Sequence, residues 1–463
     1  MSLDLDALAR RLDDQLADVD AALSAEPVPG GQQPVLSGQQ PVPQPVHTVY
    51  VPADAGDDGT AQEWGRRALG LLARHAPDAP ALAAATGLEV DDDVRERLLE
   101  LLRTRPVADL RLDLEDGYGL PGEQPGRRGD AEEDRHADAA GAALARTAGR
   151  RVRGQVAPAT AGVRVRSFEA GTRRRAVRTL ARVLAALAAT AERGADAPEV
   201  ELGALPERLV VTLAKVSDPA QVAALADVLD ALEDAHGLQR GWVAVEVQVE
   251  VPALVVSPDG RAAVARCREA ARGRLTGLHY GTYDFSAACG VPPAQQSLEH
   301  PLADHAKAVL QLAAAGTGVA VSDGSTNVLP TGGADGSDTA QVHAAWALHA
   351  RLVTRALERG LAQGWDLHPG HLVTRHLANL VHARAGLPEA ERRLAAWVAA
   401  TSARAAAGDD AAAGVADEPA TAQAMARLLV RADAVGAQEL ATSAQRVGLD
   451  EAALRALSSR RIA

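Results

Sequence analysis

The chain is poor in cysteine and lysine. Among 463 residues there are two cysteines, Cys267 and Cys289, and two lysines, Lys215 and Lys307. Two thiols exclude a disulfide framework and a cysteine-ligated structural zinc. Two lysines restrict any Schiff-base nucleophile to two positions. Aromatic residues make up 2%, too few to form stacking platforms for bases. No apolar run approaches the roughly 18 residues of a membrane span. With 48 basic and 61 acidic residues the formal charge is −13, which argues against nucleic acid as the main partner. No GxxxxGK[ST] phosphate loop, HExxH or GxSxG elbow occurs. The opening MSLDLDALARRLDD is neither a secretory signal nor an acid-poor transit peptide, so a cytoplasmic protein is expected. What is there, 47% apolar and 24% charged residues, is the mix of a soluble globular protein.

The order of segments suggests an α/β fold. Leu5, Leu8, Leu12, Leu16, Val19 and Leu23 recur at helical spacing, which predicts an N-terminal amphipathic helix within residues 1–25. A Pro-, Gly- and Gln-rich linker is expected over 26–45. From 46 onward, eight short β-branched runs alternate with Ala/Leu-rich stretches: 46–54, 109–117, 162–168, 208–216, 242–252, 275–281, 318–325 and 364–370. Helices are expected over 174–194, 218–235, 260–273, 301–315 and 338–360. Eightfold strand–helix alternation predicts a (β/α)8 TIM barrel over 46–385; a doubly wound open sheet is the alternative. Residues 118–160 form an excursion after strand two, a candidate lid or a solvated insertion. After 371 the chain reads as helical, with segments 371–385, 388–407, 418–434 and 437–458 and a linker over 408–420, and 386–463 is expected to form a C-terminal helical extension.

In such a barrel the reacting groups sit at the C-terminal ends of strands. Strand five, VEVQVEVP, alternates Glu246, Gln248 and Glu250 with valines. The polar face then points into the barrel. Glu250, nearest the mouth, reads as a metal ligand or as a buried carboxylate satisfied by an arginine. Asp284, 34 residues on and one βα unit away, reads as a second ligand or a helix N-cap. Strand two ends in LDLEDG, which places Asp113 and Glu115 on one face; Asp116 reads as a cap. Arg164, with Arg166 beside it in VRVRS, reads as a clamp on a substrate carboxylate or enolate, or as the partner of Asp113 or Glu115. Lys215 is a Schiff-base lysine, a charge partner for the acids, or a surface residue. Asp323 is polar at the end of strand seven. Asp366 and His368 share a face of strand eight, and His368 reads as a proton shuttle or a structural histidine. His343 and His349 read as surface or core residues.

These segments, taken in order, resemble the citrate lyase beta-subunit/HpcH/HpaI aldolase superfamily, relatives of malyl-CoA lyase and malate synthase. VYVPAD resembles the first-strand motif, LDLEDGYG the second, VRVRS the third, TLAKVSD the fourth and QVEVP the fifth. HYGTYDFSAACG, AAAGTGVAVSDGS and WDLHPGH resemble the remaining three. The match spans about 46–371, and Arg166 replaces the usual Asn. The resemblance implies a TIM barrel, Mg2+ (or Mn2+) on Glu250 and Asp284, and Arg164 as a substrate-binding and catalytic residue. It implies carbon–carbon cleavage or formation on a 2-oxo or hydroxy acid through an enolate, with a coenzyme A thioester as one form of the substrate. Glu115 and His368 are the further catalytic candidates; Arg166, Lys215 and Asp113 are candidates for substrate binding. The expected partner is a small carboxylic acid, without nucleic acid or membrane, in a homo-oligomer. The alternatives are phosphoryl transfer on phosphoenolpyruvate or pyruvate, a Schiff-base aldolase using Lys215, and a non-catalytic scaffold.

Overall fold

The computed structural model describes residues 44–119, 129–196, 203–407 and 418–459. The helix expected within 1–25, all of the 26–45 linker but its last two residues, and residues 408–417 lie outside them. Eight strands form: β1 His47–Pro52, β2 Asp109–Asp113, β3 Thr160–Val165, β4 Leu209–Leu213, β5 Val243–Val249, β6 Leu275–Tyr280, β7 Ala320–Ser322 and β8 Gly364–Asp366. All neighbours pair in parallel, in sequential order from β1 to β7, with β8 beside β1. A parallel bridge between Ser322 and Gln363 joins β7 to the chain entering β8 and closes the ring. The fold is a TIM barrel. Helices connect the strands, and among the described residues none is long and apolar enough to cross a membrane.

The alternation along β5 sets the two layers. Val243, Val245, Val247 and Val249 are fully buried in the apolar layer between barrel and helices. Glu246 crosses the interior to Arg111 of β2, Oε1 to Nη2 at 2.8 Å. It also accepts from Thr212 Oγ1 at 2.9 Å and lies 3.4 Å from His279. Arg111 reaches Asp109 at 2.6 Å, and Trp365 donates to His279 Nδ1 at 3.0 Å. The centre of this barrel is therefore a charged, hydrogen-bonded network where branched apolar layers are usual. Each ion in it has a partner, the condition for burying charge.

The structure corrects four expectations about elements. Residues 260–273 hold only a 3-10 turn at Ala263–Arg266 and a single helical turn at Cys267–Ala270. Arg272 and Gly273 both take positive φ, which ends the turn. Segments 371–385 and 388–407 are one helix, Pro369–Ala407, with Pro388 inside it. Segment 437–458 is two helices, Leu440–Val447 and Glu451–Ser459, because Gly448 turns left-handed at φ 74°. Finally, strand eight shows the barrel its other face. Asp366 pairs in register with Val49, on the outer layer, so Trp365 points inward and Asp366 outward.

Candidate active site

The C-terminal ends of β2 and β3 build the first half of the site. Asp113 and Arg164 lie in register on adjacent strands. They form a two-pronged pair, Nε to Oδ1 at 2.6 Å and Nη2 to Oδ2 at 2.5 Å, the strong geometry for a guanidinium and a carboxylate. The same two oxygens accept from the backbone N–H of Glu115 at 3.0 Å and of Gly117 at 2.9 Å. A Cβ on residue 117 would lie 2.4 Å from Asp113 Oδ2, so only glycine fits there. Arg164 stacks over Tyr50 at 4.9 Å. Its remaining nitrogen, Nη1, faces Gln248 Oε1 at 3.4 Å and Glu115 Oε2 at 3.6 Å. Asp113 thus holds Arg164 in place.

The second half gathers around Lys215. Its Nζ lies 2.7 Å from Glu115, 2.5 Å from Asp116 and 3.6 Å from Asp284. Its backbone N–H donates to Glu250 Oε2 at 3.0 Å. Lys215 adopts φ 52°, the left-handed region that a side chain rarely takes, and the surrounding contacts hold it there. Burial pulls its ammonium down, but Glu115, Glu250 and Asp116 outweigh that and hold it well above an ordinary lysine. An amine so firmly protonated is a poor nucleophile, which counts against the Schiff-base alternative. Burial pushes the Glu250 carboxyl up to about 8 against the pull of Lys215 and Arg164, and the charges of Glu115 and Asp284 add to that push. Burial also raises Glu115, assisted by Asp116 and opposed by Arg164 and Lys215. Asp284 lies in the first turn of the helix Thr282–Ala288, half-exposed, and caps nothing. Asp116, read from sequence as a cap, belongs to this cluster instead.

Gly281 makes room for Glu250. Its φ of −100° is open to any residue, but a Cβ would stand 2.2 Å from Glu250 Cγ. Gly281→Ala should leave the backbone path intact and displace the carboxylate. We expect a stability loss of roughly 1–3 kcal/mol and at least about a tenfold fall in divalent-cation affinity, about 1.4 kcal/mol. Denaturant titration and calorimetry measure the two; wild-type cation affinity would contradict this role.

Other predicted residues stand apart. Arg166 turns to the helix Asp130–Val152, where Glu133 Oε2 takes its Nε at 3.1 Å and Nη2 at 2.9 Å, and it also donates to the Gly119 carbonyl. It ties the excursion after β2 to the barrel, and its Nε and Nη2 are engaged there. His368 accepts from the Gly370 N–H at 3.1 Å. Burial, with Arg67 nearby, lowers its imidazole to about 4. Among the described residues it makes no hydrogen bond to the acid cluster. Asp323 pairs with the buried Lys307 at 3.0 Å. Asp366, outside the barrel, is held by Arg375 at 2.9 Å, His47 at 3.0 Å and His349 at 3.2 Å. Ligand atoms of His349, Asp366 and His371 lie within 4.8 Å of one another. The Arg375 guanidinium already neutralises that carboxylate, which counts against a metal cation there.

The mouth fits a divalent cation by charge. Five carboxylates (Asp113, Glu115, Asp116, Glu250 and Asp284) face two cations, Arg164 and Lys215. Burial is the main reason the Glu250 carboxyl is raised, and a cation at the mouth would favour its ionised form.

Residues 32–462 match a family model described as Domain of unknown function (DUF6986). A solved citrate lyase from Burkholderia xenovorans superposes with a TM-score of 0.51 at 17% identity, covering 86% of this chain and 95% of that one. A Haloferax volcanii malate synthase in complex with magnesium and glyoxylate gives 0.43 at 12% identity over 87% and 97%. An HpcH/HpaI aldolase/citrate lyase family protein from Burkholderia cenocepacia gives 0.36 at 14% over 72% and 91%. No curated protein sequence matches. At such identities the likeness to the citrate lyase speaks to the fold.

Proposed function

The chain belongs to the family described as Domain of unknown function (DUF6986), and from the chemistry of its barrel mouth we propose a divalent-cation-dependent carbon–carbon lyase or aldolase acting on a 2-oxo or hydroxy acid through an enolate. The observation that carries this reading is the excess of carboxylates over cations around Lys215. Glu250 and Asp284 would hold the ion, Mg2+ or Mn2+, through hard oxygen ligands. When bound, the cation supplies Lewis-acid polarisation of the oxo and carboxylate oxygens of the acid. Arg164, fixed by Asp113, presents positive charge at the same opening, where an enolate oxygen gains its negative charge. Glu115, raised above the usual carboxylate range, takes up or returns the proton exchanged with the enolate carbon. Lys215 keeps that carboxylate oriented. Beneath them the Arg111–Glu246–His279 network fills the barrel, so substrate approaches from the mouth. A shared barrel with a citrate lyase supports the reaction class by analogy of scaffold.

The test is a screen of 2-oxo and hydroxy acids, free and as coenzyme A thioesters, and of acetyl-CoA with 2-oxo acids, read by product mass. We expect fragments or condensation products that appear with Mg2+ and vanish with EDTA. Turnover indifferent to EDTA, with a borohydride-trapped adduct on Lys215, would replace this reading with the Schiff-base one.

A further inference from the structure

At the opposite end of the barrel lies a cavity of about 260 Å3. Val46 before β1, Ala108 before β2 and Thr160 opening β3 line it, so it sits under the N-terminal ends of the strands. In a chain with more acids than bases, its lining holds Arg105, Arg151 and Arg431 and no aspartate or glutamate. Arg431, on the helix Pro419–Ala434, reaches in between the chain segments that enter β1 and β8. It donates to the carbonyls of Gln44 and Ala362. Burial alone lowers its guanidinium to about 10, and no carboxylate opposes that fall. Arg105 and Arg151 are exposed and, among the described residues, pair with no acid.

All three arginines stand at helix C-termini, where the backbone carries about −0.5 charge each. Three guanidinium groups against roughly −1.5 leave an excess of about +1.5. Guanidinium groups that line a cavity without a carboxylate partner need an anion. We propose that this cavity is an oxyanion site for a phosphate group, bound by Arg431 within and by Arg105 and Arg151 at the rim. The guanidinium fork matches phosphate oxygens in pairs, and a dianion fits the excess charge better than a single carboxylate. The bound anion would brace the helix Pro419–Ala434 against the chain entering β1 and β8, independently of the mouth.

Inorganic phosphate is the probe, titrated into the full chain at constant ionic strength with sodium chloride as the balance. We expect a saturable rise in melting temperature and a calorimetric isotherm. Arg431→Gln should weaken binding by at least about tenfold. The paired change Arg105→Gln with Arg151→Gln, confined to exposed side chains, should weaken it by at least about threefold. Lys215→Met, at the other end, should leave it unchanged. Acetate should bind more weakly, and a phosphate monoester as well as phosphate. A wild-type response equal to sodium chloride alone would overturn the proposal. So would loss of binding in Lys215→Met with retention in the arginine variants, or acetate binding as tightly as phosphate.

Discussion

Glu250→Gln and Asp284→Asn should each cost on the order of 100-fold or more in Mg2+ affinity, about 2.7 kcal/mol, with folding intact. Gln at 250 keeps an oxygen to accept from the Lys215 N–H, and Asp284 is half-exposed and caps nothing. The loss falls on charge, which the five-to-two imbalance makes decisive. The pH dependence carries the same signature. Glu250 holds its proton up to about 8, and a cation must displace it. Affinity should therefore rise by up to about tenfold per pH unit toward 8 and level off above it. Binding at neutral pH should release close to one proton, measured by calorimetry in buffers of different ionisation enthalpy. Without the cation the sign is opposite. The folded state binds this proton more tightly than the unfolded chain, so the contribution of Glu250 to stability falls as pH rises from its ordinary value of 4.5 to about 8. Glu250→Gln should flatten both trends. Unchanged cation affinity in both variants would remove the mouth as a metal site.

Asp113→Ala should destabilise the protein by about 3–5 kcal/mol, because it strands the Arg164 guanidinium in a buried position. Arg164 is 6% exposed and Asp113 1%, so water does not replace the lost partner. Neutralising both, as Asp113→Leu with Arg164→Met, should recover most of the stability, because an unpaired buried charge costs more than no charge. Denaturant unfolding of Asp113→Leu, of Arg164→Met and of the pair measures the cycle. A single Asp113→Ala within about 1 kcal/mol of wild type would mean that Arg164 finds another anion, with Glu115 at 3.6 Å the nearest.

The strands were legible because eight β-branched runs stood at βα spacing and because β5 alternates acid or amide with valine without a break. That alternation also put Glu246 and Gln248 inside, where they are. The interval between Glu250 and Asp284 was enough to bring both to one end of the barrel. Less local facts were hidden. WDLH carries no apolar alternation, and a tryptophan serves equally inside or outside, so only the register of Asp366 with Val49 shows which face is inward. The left-handed backbone at Lys215 has no sequence signal, since φ is imposed there by contacts from three other strand ends. The engagement of Arg166 by Glu133 needed the docking of a helix 33 residues upstream, which strand alternation does not encode. Asp116 looked like a cap because a cap and a charge partner draw on the same residue type.

The scarcity of lysine, set beside where the two occur, gives the molecule a built-in reporter. Lys307 is sealed at 2% exposure and bonded to Asp323 and the Leu298 carbonyl, whereas the Lys215 side chain is 25% exposed at the barrel opening. An amine-acylating reagent therefore meets one accessible side-chain target in the described residues, and reacts with it slowly while the acids around Lys215 keep the amine protonated; a cation that draws those acids away should speed the reaction. Mass footprinting of that position follows occupancy of the opening without an engineered tag and without a turnover assay.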